Sequence, residues 1–527
     1  MENTFWSLIP PILAIVMVLL TKRVLLSLGV GIITAALFIA SFHIGESLLF
    51  VWEAFKGVFV EEGQPNTWNI FILLFVLMLG ILTTLVTMMG GTRSFADWMI
   101  RRVKTRAAAQ LMTMLLGIIV FVDDYFNSLT VGQIAKPVTD KMRISRAKLA
   151  YIVDSTSAPV CVTAPVSSWG AYIIGIIGTV LSTHSLTDIS AFHAFIKMIP
   201  MNYYVWAALG VVVVIALKQV DFGPMKAHEH RAIQTGEVLN PDRKSKLDPA
   251  RSLPVSELSR IKDLLIPIIS LFIGTIAAIF IHGLFSIETG TRTLINIFGS
   301  ADVSISLLIG GSIGLITTFI LFIRHMIKGV FSFHHLLKGV FAGGKSMMPG
   351  FNILIFAWTI ATLIQQLGTG SYLAEIVEAA NLNLYFLPFI LFIIAGFIAF
   401  STGTSWGAFG ILLPIAGEIA AATDVTLILP MLAAVLAGAV FGDHCSPISD
   451  TTILSATGSG CDHIDHVITQ IPYAFLAAAM AGLGYIIFGL TNSVSLGLAV
   501  VIASIIGLFF GLRKRKVDID KETKLFL

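Results

Sequence analysis

The sequence predicts an all-α polytopic membrane protein. Three observations carry that expectation: scarce charge, recurring apolar runs of membrane-spanning length, and polar, proline-containing segments set inside the apolar part. Of the 527 residues, 56% are hydrophobic and 12% charged, whereas a soluble domain carries about 25% charged residues. A bilayer core about 30 Å thick needs about 20 apolar residues per helix, and such runs recur from Trp6 to Leu512. These features exclude a soluble enzyme. A net charge of +3 gives no footprint for nucleic acid. Cys161, Cys445 and Cys461 are too few for a disulfide framework, and no cofactor is expected.

Taken in order, Trp6 to Leu20 opens the chain without a basic leader or a small-residue cleavage site before Lys22, so it is expected to be a retained span. Further full spans are expected at Val24 to Phe42, Trp68 to Gly90, Ile199 to Leu217, Leu264 to Phe285, Val303 to Ile323, Met347 to Leu367, Val467 to Leu490 and Leu496 to Leu512. Lysine and arginine collect in short cytoplasmic loops. Lys22, Arg23, Arg101, Arg102, Lys104 and Arg106 therefore mark the inside, and Glu61 and Glu62 the outside. The polar stretch from Lys218 to Lys262 holds nine Lys or Arg and Pro241, Pro249 and Pro254, and is expected to be a flexible cytoplasmic linker.

Ala107 to Val122 is apolar yet lies between basic loops of one side, since Lys136, Lys141, Arg143, Arg146 and Lys148 follow. Sixteen helical residues reach about 24 Å, short of a full crossing. A re-entrant hairpin with its tip at Asp123 to Ser128 is expected, the alternative being two short crossings. Leu384 to Phe400 with Ser401 to Ala420 is expected to form a second hairpin on grounds of symmetry, with two crossings again the alternative. Leu149 to Leu181 and Val425 to Thr457 run 33 residues each, with Ser, Thr, Asp and Pro throughout. Both are expected to be helices broken in mid-membrane.

Each half then contains an odd number of crossings, which makes the halves inverted repeats. The expected organisation is a first repeat over residues 1–217, the linker over 218–262, and a second inverted repeat over 263–490. An extra C-terminal helix and basic cytoplasmic tail occupy 491–527. Each five-span repeat carries one hairpin and one broken helix. Ser167-Ser168-Trp169-Gly170-Ala171-Tyr172 resembles Thr404-Ser405-Trp406-Gly407-Ala408-Phe409, although this topology puts the two copies in non-equivalent elements.

A proline in a membrane helix frees a carbonyl that hydrocarbon cannot satisfy, so broken helices persist where they line a cavity. Pro159 and Pro165 lie among Ser155, Thr156, Ser157 and Thr163, and Pro447 among Ser446, Ser449, Asp450, Thr451 and Thr452. Hydroxyls and freed carbonyls suit a hard cation, whereas helix N-termini suit a carboxylate. Any single Ser or Thr more often only packs or kinks a helix; the density of these two clusters is what points to a site. Intramembrane carboxylates cost about 2.5–3.5 kcal/mol on insertion scales, which singles out Asp123, Asp124, Asp154, Asp443 and Asp450. Asp123, Asp124, Asp154 and Asp443 are the candidates for proton coupling, with Asp154 and Asp443 leading. Asn127, Ser128, Thr404 and Ser405 complete the candidate set. Asp123 and Asp124 have a structural alternative, holding the hairpin tip by accepting backbone hydrogen bonds. His444, Cys445, Cys461, His463 and His466 match no common zinc spacing, so no metal site is expected. No Walker sequence is present. An intramembrane protease would need Gly where Val440 stands.

The run Phe441-Gly442-Asp443-His444-Cys445-Ser446-Pro447-Ile448-Ser449-Asp450-Thr451-Thr452 resembles the hallmark of the NhaC family of Na⁺/H⁺ antiporters. So do Asp154-Ser155-Thr156-Ser157-Ala158-Pro159-Val160, Val122-Asp123-Asp124-Tyr125-Phe126-Asn127-Ser128 and Thr404-Ser405-Trp406-Gly407. The resemblance implies a secondary transporter with inverted repeats, hairpins and unwound helices meeting at one site, exchanging Na⁺ for H⁺ by alternating access in a bacterial cytoplasmic membrane. Na⁺ and H⁺ are then cargo, the bilayer is the partner, and a homodimer is expected by analogy. The alternative is Na⁺- or H⁺-coupled carriage of an amino acid or small carboxylate, for which a basic residue in the cavity would be the discriminating feature.

Overall fold

The computed structural model describes residues 4–513 apart from 22, 62, 92–93, 96–101, 185, 187–188, 242–252, 288–291, 293–296, 298–300, 370–371, 373–382 and 448. Lys22, Glu62, Arg101, the middle of the 218–262 linker and most of the basic tail lie outside the described residues. The chain is helical, with a two-residue ribbon, Val60–Glu61 against Gln64–Pro65, before the fourth helix. Among the described residues, 10 helical segments are long and apolar enough to cross a bilayer.

The chain begins with α1 (Ile9–Thr21), α2 (Val24–Ile39), α3 (Ile44–Gly57) and α4 (Thr67–Met89). The first hairpin follows as α5 (Arg106–Ile119) and α6 (Asp124–Lys141). Its 14-residue first arm reaches about 21 Å, and Arg106 Nη1 donates to Met142 O at 3.0 Å, tying the two ends together at the base. The first broken helix is α7 (Arg146–Ser155), α8 (Ala158–Cys161) and α9 (Ser168–Thr183). The half closes with α10 (Ala191–Met198), α11 (Tyr203–Lys218) and α12 (Gly223–Thr235).

The second half has α13 (Lys262–Ser286), α14 (Val303–Ile327) and α15 (Phe333–Gln366). A helical pair turning at Gly403 follows, α16 (Leu387–Thr402) and α17 (Ser405–Thr423). Each arm, counted with the 3-10 turn before α16, has 19 residues and is long enough to cross. The second broken helix is α18 (Ile428–Cys445) and α19 (Asp450–Ser459), and α20 (His463–Thr491) and α21 (Val494–Gly511) complete the chain.

Two groups of helices result. The first is a bundle in which α4 packs on α14 and α15, and α13 on α14. In the second, α18 lies between α16 and α17 while α19 packs on α6 and α7. The second group depends on close backbone approach: a Cβ on Gly442 would fall 2.0 Å from Gly396 O, so only glycine lets α16 and α18 meet there. Large apolar side chains such as Ile320, Phe341, Phe397 and Phe510 point outward. Such a surface would aggregate in water and is at home in lipid.

The structure departs from the sequence expectation in three places. α3 and α10 were not anticipated, because α3 carries Glu46, Glu53 and Lys56 and α10 has only 8 residues. α15 begins at Phe333, well before Met347, through a polar first section. The linker is not wholly flexible, since α12 is an ordered helix packed on α7 and α20. What orders it is charge: Glu229 is buried, accepts from Ser145 N at 2.7 Å, pairs with Arg106, and lies 3.8 Å from Lys148. Lys148 Nζ also lies 2.8 Å from Asp221. Burial opposes ionisation of Glu229, yet the adjacent Lys148 and Arg106 hold its carboxyl below the ordinary glutamate value.

Candidate functional site

The tips of the two helical pairs and the break between α18 and α19 meet at a cavity of about 280 Å³. Asp123, Asp124 and Tyr125 line it from the first tip, Thr402, Gly403 and Thr404 from the second, and Asp450 from the second broken helix. Ser346 and Met347 of α15 close another wall. No Lys, Arg or His lines it among the described residues.

Helix starts account for much of this geometry. Asp123 sits in extended backbone and caps α6: its Oδ1 accepts from Phe126 N at 3.0 Å, and its Oδ2 from Ser168 Oγ, at the start of α9, at 2.9 Å. The structural alternative for Asp123 is therefore what the hydrogen bonds display. Asp124, the next residue, is buried, and its Oδ2 has no hydrogen-bond partner among the described residues. Asp450 begins α19, accepts from Thr451 N at 2.9 Å and from the Tyr125 hydroxyl. The N-termini of α6, α17 and α19 thus open onto one cavity, and their partial positive charge favours the carboxylates placed there.

Beneath this wall lies a second polar layer centred on Asp154, at the end of α7. Its Oδ2 accepts from Gln470 Nε2 at 2.6 Å and Thr452 Oγ1 at 3.1 Å, and His466 Nε2 lies 3.3 Å away. Ser455 Oγ donates to Asp154 Oδ1 at 3.3 Å and lies 3.1 Å from Ser128 Oγ. Ser128 Oγ reaches Ser157 Oγ at 2.9 Å, and Ser157 Oγ donates to Asp124 O at 2.8 Å. A continuous hydrogen-bonded path therefore links Asp154 to the hairpin tip. Asn127 Nδ2 ties the same tip to Gly117 O, Val120 O and Thr156 O at 2.7, 3.0 and 3.1 Å. His444 Nε2 lies 3.1 Å from Asp154 O and its Nδ1 lies 3.0 Å from Tyr204 OH.

Asp443, on the last turn of α18, accepts from Ser405 Oγ at 2.7 Å and Ser405 N at 3.3 Å, while its Oδ1 is buried with no partner among the described residues. Ser449 caps α19 through Thr452 N at 3.2 Å and meets Thr451 Oγ1 at 3.0 Å. Ser155, Thr156 and Ser446 are buried at the two breaks.

Of the sequence candidates, Asp123, Asp124, Thr404 and Asp450 reach the cavity wall. Asn127, Ser128, Asp154, Ser155, Thr156, Ser157, Ser405, Asp443, Ser446, Ser449 and Thr451 form the shell behind it. Sequence reasoning leaves Tyr125, Ser168, Ser455 and Gln470 out of the candidate set, weighs His466 only as a metal ligand, and has Thr452 only as a member of the Pro447 cluster. His466 and Gln470 carry a detectable signal, since they stand four apart at the start of an apolar helix and so share one face. The two similar motifs perform one task. Ser168 and Ser405 each begin a helix and each hold an aspartate, and Trp169 and Trp406 pack edge to face at 5.9 Å.

Residues 160–490 match the profile described as the Na⁺/H⁺ antiporter family. An uncharacterized protein of Haemophilus influenzae is 41% identical over 517 residues, covering 98% of this chain and 96% of that one. A malate-2H⁺/Na⁺-lactate antiporter of Bacillus subtilis is 35% identical over 100 residues, 18% of this chain and 20% of that protein. The crystal structure of the YdaH transporter of Alcanivorax borkumensis shares the fold, with a TM-score of 0.53 at 13% identity over 89% of this chain and 90% of that one. The chain is a multi-pass membrane protein and a secondary transporter, and it belongs to the Na⁺/H⁺ antiporter family.

Proposed function

We propose that the protein exchanges Na⁺ for H⁺ across the bacterial cytoplasmic membrane by alternating access, with the ion held in the cavity between the two tips. The single observation that carries this reading is the composition of that cavity: Asp123, Asp124 and Asp450 face it with the Tyr125 hydroxyl, and no cationic side chain faces it among the described residues. A hard cation prefers such oxygen donors. A carboxylate in a water-poor site cannot stay charged alone, so it takes either a proton or a cation. That exclusion is the coupling step. Asp124, one of whose oxygens has no partner among the described residues, and Asp450, held by Tyr125, are the groups that exchange the two. At roughly 30 Å³ per water, the cavity of about 280 Å³ has room for a partly hydrated Na⁺.

Asp154, saturated with donors, positions the floor of the site. The α4, α13, α14 and α15 bundle is the frame against which the helices bearing the tips move, and the C-terminus lies on the cytoplasmic side. The second reading, coupled carriage of a small carboxylate, draws on the start of α17, which faces the cavity with no side-chain cap from Thr404, and on the malate and lactate named for the Bacillus relative. Three carboxylates on the wall oppose it.

The test uses purified protein in proteoliposomes with an acid interior. External Na⁺ is expected to discharge the pH gradient in a saturable manner, and labelled malate, lactate and amino acids to remain outside. Discharge that requires an organic acid, or none with any cation, would overturn the reading.

A further inference from the structure

A second and larger cavity, of about 710 Å³, opens at the other end of α9 and α15, among α3, α4 and α10. Glu53, Glu61, Asn69, Trp68, Trp358 and Thr362 are among its lining residues, and no Lys, Arg or His is, among the described residues. Glu61 belongs to the loop that the distribution of basic residues places outside. The indoles are seated by design of the backbone: a Cβ on Gly178 would fall 2.4 Å from the Trp68 ring, so α9 makes room for it. Trp358 is 97% buried (3% exposed) and lines the cavity, and its buried indole N–H has no partner among the described residues.

The two cavities follow one another along α15. α15 contributes Ile353 to the aspartate cavity and Trp358 to the outer one, about 7.5 Å apart along the helix. Between them stands a layer of interlocked rings. Tyr172 meets Trp406 with centroids 4.6 Å apart, and Trp169 meets Phe409 at 5.4 Å. The Tyr172 hydroxyl donates to Trp406 O at 3.2 Å, bolting α9 to α17.

We propose that the outer cavity is the entry vestibule for the cation, and that Trp169, Tyr172, Trp406 and Phe409 are the gate separating it from the aspartate cavity. The vestibule concentrates cations through Glu53 and Glu61. Opening requires the start of α17, which carries Trp406, to part from α9, and breaks the Tyr172 hydrogen bond. Because Trp406 also lines the aspartate cavity, the same movement reshapes the ion site. The cation as ligand rests on the Na⁺/H⁺ reading; the gate does not.

The test is thiol accessibility in right-side-out vesicles, with the buried native Cys161, Cys445 and Cys461 left in place and parent labelling subtracted. Thr362→Cys is expected to react from outside, on the order of tenfold faster with a cationic than with an anionic methanethiosulfonate. Glu53→Gln with Glu61→Gln is expected to bring that ratio towards one. Ser346→Cys, in the aspartate cavity, is expected to react much more slowly from outside, and to gain reactivity when Tyr172→Ala and Trp406→Ala are added. Tyr172→Phe, which removes only the hydroxyl, gives a smaller gain and keeps the test usable if the alanine pair does not fold. An inert Thr362→Cys, or equal rates with the two reagents, would overturn the vestibule. Equal outside labelling of Ser346→Cys and Thr362→Cys with the rings intact would overturn the gate. These readouts do not depend on the cargo, so they fail separately from the exchange assay.

Discussion

Four buried aspartates and the half-buried Asp450 near the breaks and tips differ in what they touch, and that difference sorts their roles. Asp124 lines the cavity and one of its oxygens has no partner among the described residues, while Asp154 is surrounded by donors. Asp124→Asn is therefore expected to abolish Na⁺-dependent proton exchange while leaving expression and gel-filtration behaviour intact. Asp154→Asn is expected to lower thermal stability, because a neutral amide presents an N–H to donors that require an acceptor, at a cost of about 1–3 kcal/mol. The two outcomes reversed would mean the roles are exchanged. Glu229 makes a separate prediction. Its folded carboxyl is held below the ordinary glutamate value, so its stabilisation is fully present above the unfolded value of about 4.3 and is lost as pH falls through the lower folded value. Melting temperature in detergent should fall on acidification below that point, more steeply in the native protein than in Glu229→Gln. That these carboxylates matter was legible, because a charge in an apolar run stands out. Which of them faces a cavity was not, since the choice between Asp124 and Asp154 is made by α19 and α20, hundreds of residues away in sequence.

At the scale of elements, what charge or proline marks was readable and what amphipathicity hides was not. The first hairpin followed from basic residues on both sides of a short apolar run, and its base is where Arg106 closes it. The breaks lie at Pro159, Pro165 and Pro447, and the backbone at Ser446, Pro447 and Ser449 departs from helix. Helix α12 was hidden because its charges resemble a solvated linker until Arg106 and Lys148 are placed beside Glu229. Arg106→Ala leaves Glu229 short of its nearest partner, and is expected to destabilise the fold by about 3–5 kcal/mol, seen as a loss of thermal stability and of the protease resistance of α12. The α16–α18 contact has no tolerance for size. Gly442→Val is expected to cost at least about 1–3 kcal/mol by overpacking and to reduce folded yield, whereas Gly344→Ala, with nothing near its Cβ, should be silent.

Across the whole molecule, both tips and the break before α19 meet at the cavity, while Asp154 and Ser157 beside the first break lie in the hydrogen-bonded layer behind it. The cavity with its carboxylates, the Asp154 floor beneath it and the ring layer beside it form one axis through the transporter. Residue patterns alone did not reveal that axis, since Trp169 and Trp406 belong to motifs some 237 positions apart that resemble each other in sequence and meet only in the fold. The central claim is that Na⁺ and protons compete for the carboxylates of this cavity. It is tested most directly by titrating purified protein with Na⁺ in a calorimeter, in two buffers of different ionisation enthalpy. The account predicts saturable Na⁺ binding with proton release, both weakened by Asp124→Asn and Asp450→Asn. Binding without proton release near neutral pH, or release unaltered by either substitution, would contradict it.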